Sequence, residues 1–150
     1  MTESNTSKTP TERIAEIEKR REERRAKYCA ARDEQEADDM EAIDEIECQR
    51  GPQGFHTVKF PDGWQPGIPT TVAFRTPTAA EVKRFASGGK NTDDIDAVWK
   101  SSEQLCRAIL LYPSQEVFTQ MLAKFPNLHG TMAVAACDAS AGESSAKKKR

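Results

Sequence analysis

Between Phe55 and Phe60 the chain alternates, with Phe55, Thr57 and Lys59 on one side and His56, Val58 and Phe60 on the other. Pro61-Asp62-Gly63 then supplies turn chemistry. A second extended run, Thr70 to Arg75, follows Trp64-Gln65-Pro66-Gly67-Ile68-Pro69, so the pair predicts a β-hairpin with a long loop. A lone hairpin is marginal in water and needs another element over its apolar face. From Pro77 onward the period becomes helical. Thr78-Ala79-Ala80-Glu81 is a capping box opening a short helix through Val82 and Phe85 that stops at Gly88-Gly89. Thr92 or Asp93 stands ready to cap the next helix. There Ile95, Val98, Trp99, Ser102, Leu105, Cys106, Ile109 and Leu110 fall at steps of three and four, a single stripe that ends before Pro113. Ser114 caps a third helix with Val117, Phe118, Met121, Leu122 and Phe125. Asn127 caps a fourth with Leu128, Met132, Ala135, Ala136 and Ala139, closed by Gly142. The fold class is α+β, mostly α: a hairpin against a cluster of about four short antiparallel helices.

The first 50 residues follow different rules. They hold 15 acidic and 10 basic side chains but one aromatic, Tyr28, whereas the other nine aromatics lie between Phe55 and Phe125. A compact unit is therefore expected over residues 53–142, with the break at Gln49-Arg50-Gly51-Pro52-Gln53-Gly54. Residues 1–50 read as a charged arm, partly helical or disordered. Thr9, Pro10 and Glu12 form a helix start, and a helix over about residues 10–47 is expected to fray when alone. The last residues, 143–150, are small and polar and then basic, and read as a disordered tail.

Charge in the arm is ordered. Arg13 to Arg32 carries eight bases and four acids; Asp33 to Glu47 carries nine acids and no base. A basic region on a helix suggests a leucine-zipper DNA-binding protein, but no leucine precedes Leu105 and the acidic block would repel phosphate. Nucleic acid is not the expected partner. No apolar run approaches the roughly 18 residues of a membrane span, and the N-terminus lacks the apolar stretch of a signal peptide, so no membrane partner and a cytoplasmic location are expected.

Little in the chain suggests catalysis. Cys29, Cys48, Cys106 and Cys137 lie far apart, with no C-x-x-C, and read as reduced, mostly buried thiols. His56 and His129 have no nucleophile at a motif spacing, and read as structural or surface residues. Ser87-Gly88-Gly89-Lys90 lacks the first glycine and the Ser/Thr of a phosphate loop and follows a helix. Asp93, Asp94 and Asp96 suit the first turn of a helix better than a cation loop. No enzyme activity, metal or cofactor is expected.

The run Thr71-Val72-Ala73-Phe74-Arg75-Thr76-Pro77-Thr78-Ala79-Ala80-Glu81-Val82-Lys83-Arg84-Phe85 carries a resemblance. So do Leu110-Leu111-Tyr112-Pro113-Ser114, Phe118, Phe125-Pro126-Asn127-Leu128 and the small-residue helix ending near Gly142. Together they resemble the tail assembly chaperones of long-tailed bacteriophages, over about residues 55–142. The charged arm has no counterpart in that pattern. The resemblance implies a non-enzymatic protein of the host cytoplasm that keeps the tape measure protein soluble until tail tube subunits polymerise around it. The tail tube protein and a second copy of the chain are further candidate partners. It also implies a longer frameshifted form, for which the codons of Lys147-Lys148-Lys149 are a candidate slippery run. A groove between short helices would hold amphipathic client segments, and Trp99, Leu105, Ile109, Tyr112, Phe118, Leu122, Phe125 and Leu128 are the expected partner-binding residues. A virion adaptor or scaffold working through the arm is the alternative, and a DNA-binding regulator a more distant one.

Overall fold

A computed structural model of the protein describes residues 7–60, 63–88 and 93–148. The element order is α1 (Pro10–Arg50), β1 (Phe55–Lys59), β2 (Thr71–Arg75), α2 (Ala79–Gly88), α3 (Ile95–Ile109), β3 (Leu110–Tyr112), α4 (Gln115–Lys124) and α5 (Leu128–Lys148). Among the described residues, five helices and a small antiparallel sheet give the expected class, α+β and mostly α.

The hairpin forms as the alternation predicts, β1 pairing with β2 from Phe55↔Arg75 to Lys59↔Thr71. The ladder continues one step, Phe60 N–H donating to Thr70 O at 2.8 Å. The expected turn residues Pro61 and Asp62 lie outside the described residues. β2 is central because a third strand, β3, pairs along its other side, with a register shift between Ala73 and Phe74. Both faces of β2 are covered. Val72 and Phe74 enter the main apolar cluster with Ile109, Phe118, Met121 and Met132. Thr71 and Ala73, on the opposite face by the two-residue period, are buried too, and α1 packs on this side of β2 and β3.

The caps that local chemistry demands are present. Thr9 Oγ1 accepts from Glu12 N–H at 3.3 Å, and the Glu12 carboxylate accepts from Thr9 N–H at 3.0 Å. The same reciprocal pair links Thr78 and Glu81 at 2.9 and 3.2 Å. Ser114 caps α4 through Val117 N–H at 3.3 Å. Arg75 ties three elements together: its guanidinium forks onto both Glu81 oxygens at 2.7 and 2.9 Å and donates to Ala108 O, in the last turn of α3, at 3.0 Å. The Arg75 bond holds the Glu81 carboxyl at about 2, well below its ordinary 4.5.

Five expectations need correction. The apolar stripe of α3 ends at Ile109, and Leu110 opens β3 instead, because only an extended segment can complete the ladder beside β2. The cap of α3 is Asp94, its carboxylate accepting from Ala97 N–H at 3.1 Å, and not Asp93; Thr92 lies outside the described residues. α5 runs through Gly142 to Lys148, so residues 143–148 of the expected disordered tail are helical backbone. Cys29 and Cys48 are exposed on α1, and only Cys106 is fully buried. Last, α1 runs unbroken to Arg50 and contributes Asp39 and Ile43 to the interior, so the compositional break near residue 50 does not separate the arm from the core.

Candidate functional site

The hairpin loop, α4 and the start of α5 meet around an apolar cleft of about 150 Å³, walled by Phe60, Trp64, Ile68, Met121, Phe125 and Leu128, with Asn127 and Thr131 at its polar edge. Local chemistry fixes this wall. Trp64 is buried because its indole N–H donates to Ile68 O at 2.7 Å, which folds the loop back on itself. Gly63 permits a positive φ, and a Cβ there would sit 3.4 Å from the Phe125 ring. Phe125 ends α4, its N–H donating to Met121 O at 2.8 Å, and Pro126 turns the chain into α5. A cavity of about this volume lined by apolar side chains holds a benzene ring. The cleft therefore suits one aromatic or branched aliphatic side chain of a partner, with hydrogen bonds at the rim.

Of the eight residues expected to bind a partner, the structure brings Phe125 and Leu128 together at this cleft. Ile109 and Phe118 are fully buried core and present nothing to a partner; the Arg107 guanidinium lies over the Phe118 ring at 5.7 Å. Leu122 is half-buried against the same core. Leu105 faces a second depression, between α2 and α3, of about 280 Å³ and lined by Glu81, Arg84 and Gln104 among others. Trp99 is 40% exposed and packs edge-on against the His129 ring, centroids 4.4 Å apart. Tyr112 donates its hydroxyl to Asp39 and holds α1. Sequence reasoning missed Phe60, Trp64 and Ile68. The Trp64-to-Ile68 spacing with two intervening turn-formers, Pro66 and Gly67, was the available signal.

One polar cluster has the residue types of a catalytic site. His129 Nδ1 lies 2.9 Å from Ser102 Oγ, and the Ser102 hydroxyl and Cys106 thiol both donate to His129 O, at 3.2 and 3.1 Å. Burial pushes the Cys106 thiol up to about 12 and the His129 imidazole down. A thiol so hard to ionise is a poor nucleophile at neutral pH. All three side chains are buried, and the bonds fasten α3 to α5. His56, the other histidine, meets Thr76 Oγ1 at 2.7 Å across the hairpin. Among the described residues no group of three His, Cys, Asp or Glu is arranged to hold a metal ion, and no helix is long and apolar enough to cross a membrane.

Among the described residues the arm meets the folded body at three polar points, the outermost an ion pair of Glu36 with Lys59 on β1. Asp39, with 0% exposure, accepts from Thr70 N–H and Thr70 Oγ–H at 2.7 Å each with one oxygen, and from Gln35 at 3.0 Å and the Tyr112 hydroxyl with the other. Such a fully satisfied buried carboxyl is the condition under which burial is tolerated. Burial and the Asp39 bond together raise the Tyr112 phenol above its ordinary range. Nearer the arm's start, Tyr28 donates to Trp64 O at 2.7 Å and packs on the indole at 5.4 Å. No protein family, no curated protein and no solved structure matches the chain.

Proposed function

We propose that the protein is a non-enzymatic tail assembly chaperone of a long-tailed bacteriophage, working in the host cytoplasm. It holds apolar side chains of the tape measure protein until tail tube subunits displace them. The observation that carries this reading is the cleft between the hairpin loop and the α4–α5 turn. Two of its walls, Phe125 and Leu128, belong to the Phe125-Pro126-Asn127-Leu128 segment that bears the resemblance to such chaperones. An amphipathic client helix would set one large side chain into the cleft and lay its flanking turns over the α4–α5 face. One anchor of this size gives modest affinity, which suits a client that must later be released.

Co-expression with the tape measure protein tests the reading. The wild-type chain should keep the client in the supernatant and co-purify with it. Thr131→Trp, an exposed rim position, should plug the cleft and return the client to the pellet, whereas Gln104→Trp in the α2–α3 depression should leave it soluble. Equal solubility with both variants, or none with the wild-type chain, would overturn the proposal. The adaptor reading draws on the exposed Ile14 and Ile17 of α1. A chain lacking residues 1–27 separates the two, since the chaperone keeps its client and the adaptor loses its contact.

A further inference from the structure

α1 carries its charge as two complementary stripes. At about 100° per residue, Arg13, Arg20, Arg24 and Lys27 fall within an arc of about 60°. Glu34, Asp38, Glu41 and Glu45 fall within a similar arc whose centre lies about 40° away, on the same side of the next turns. That side is about 130° round the helix from Asp39 and Ile43, which dock it. All eight charged side chains are exposed, and among the described residues none of them forms a salt bridge within the chain. A shallow depression of about 340 Å³ beside Ile17 is lined by Arg20, Arg24 and Lys27 together with Glu23, which with Glu16 borders the basic stripe, leaving four bases to two acids on that side. Midway between the stripes and on the same side sits Ala31.

We infer that two copies of the chain pair through α1, antiparallel, with the basic stripe of each copy on the acidic stripe of the other and the helices crossing at Ala31. Lys27 of one copy then faces Glu34 of the other, Arg24 faces Asp38, and Arg20 faces Glu41. Each pair occurs twice, because a twofold axis makes the interface self-complementary. Alanine at the crossing allows a close helix-to-helix approach of about 8 Å. The charge order selects this occupant: a parallel partner sets base on base, and a duplex that met the basic stripe would meet the acidic one on the same side. The pairing does not depend on the proposed chaperone activity.

The test uses the full chain in solution. At about 50 mM salt the mass from light scattering should be twice the 16.7 kDa of one chain, and about 500 mM salt should weaken the association roughly tenfold or more. Arg20→Glu/Arg24→Glu/Lys27→Glu and Glu34→Lys/Asp38→Lys/Glu41→Lys should each be monomeric alone and should form a dimer when mixed. Because reversed arms are open to fraying, a second readout keeps the natural charges. In a Cys29→Ser/Cys48→Ser chain, Ala31→Cys should oxidise to a disulfide-linked dimer, its two Cα atoms being close at the axis. Glu45→Cys in the same background should stay unlinked. A monomer at low salt with no link at position 31, equal linking at positions 31 and 45, or a monomer that binds duplex DNA at that salt would each overturn the inference.

Discussion

The two halves of α1 share one helix and are both rich in charge, yet only one is built into the fold. From Tyr28 on, the helix is fastened at Trp64, Thr70 and Tyr112, with Ile43 buried. The preceding 18 residues, about 27 Å of helix, leave Ile14 57% and Ile17 46% exposed. Apolar content differs as well, four of 18 residues before Tyr28 against ten of 23 from it on, yet of those ten Ile43 is the one that is fully buried. Beside it stands a carboxyl at the right register, which satisfies a backbone N–H of the loop that leads into β2. Docking here is decided by hydrogen-bond bookkeeping more than by an apolar stripe.

Truncation gives the largest contrast. Removing residues 1–50 strips one face of β2 and leaves Thr70 N–H and the Tyr112 hydroxyl without Asp39. It should cost most of the roughly 5–15 kcal/mol that holds a domain together, seen as loss of a cooperative urea transition. Removing residues 1–27 should move the same transition by less than about 0.5 kcal/mol. A cooperative transition in the shorter chain would show that α1 is dispensable after all.

Adjacent positions sharpen the point. Asp39→Ala should destabilise by about 3 kcal/mol, since it strands buried donors, and Asp39→Asn by about half as much. Asp38→Ala, one residue away and exposed, should stay within about 0.5 kcal/mol. Chemical denaturation of the three variants decides it.

Acid distinguishes a partly buried ion pair in the folded body from one on the overhang. The folded carboxyl of Glu81 ionises near 2 against 4.5 when unperturbed, so its contribution is complete above pH 4.5 and is lost as the pH falls toward 2. Glu81→Gln should therefore cost about 1–2 kcal/mol at neutral pH, with the gap from wild type closing below pH 4.5. Glu16, paired with Lys8 on the overhang, should leave the unfolding midpoint unchanged when replaced by Gln. Smallest of all, Ile17→Ser should shift the thermal midpoint of dilute protein by an amount equivalent to less than about 0.5 kcal/mol.

Local signals were legible in the sequence and distant ones were not. The alternation of β1, the reciprocal cap of Thr78 and Glu81 and the start of α4 follow from residues within a turn of one another. Asp39 was hidden among the nine acids between Asp33 and Glu47, and its partners Thr70 and Tyr112 lie 31 and 73 residues away. β3 was hidden for another reason: three residues are too few to show alternation, and Leu110 also fits the helical step of four from Cys106. The cleft was half visible, through Phe125 and Leu128. Its other half depends on Trp64 turning back to Ile68, a loop conformation with no period to read.

Trp64 belongs to two neighbourhoods at once. Its carbonyl and one edge of its ring receive Tyr28, while its indole forms part of the cleft. The long rod and the wall of the mouth thus share one residue, while Asp39 and Ile43 seat the rod further along.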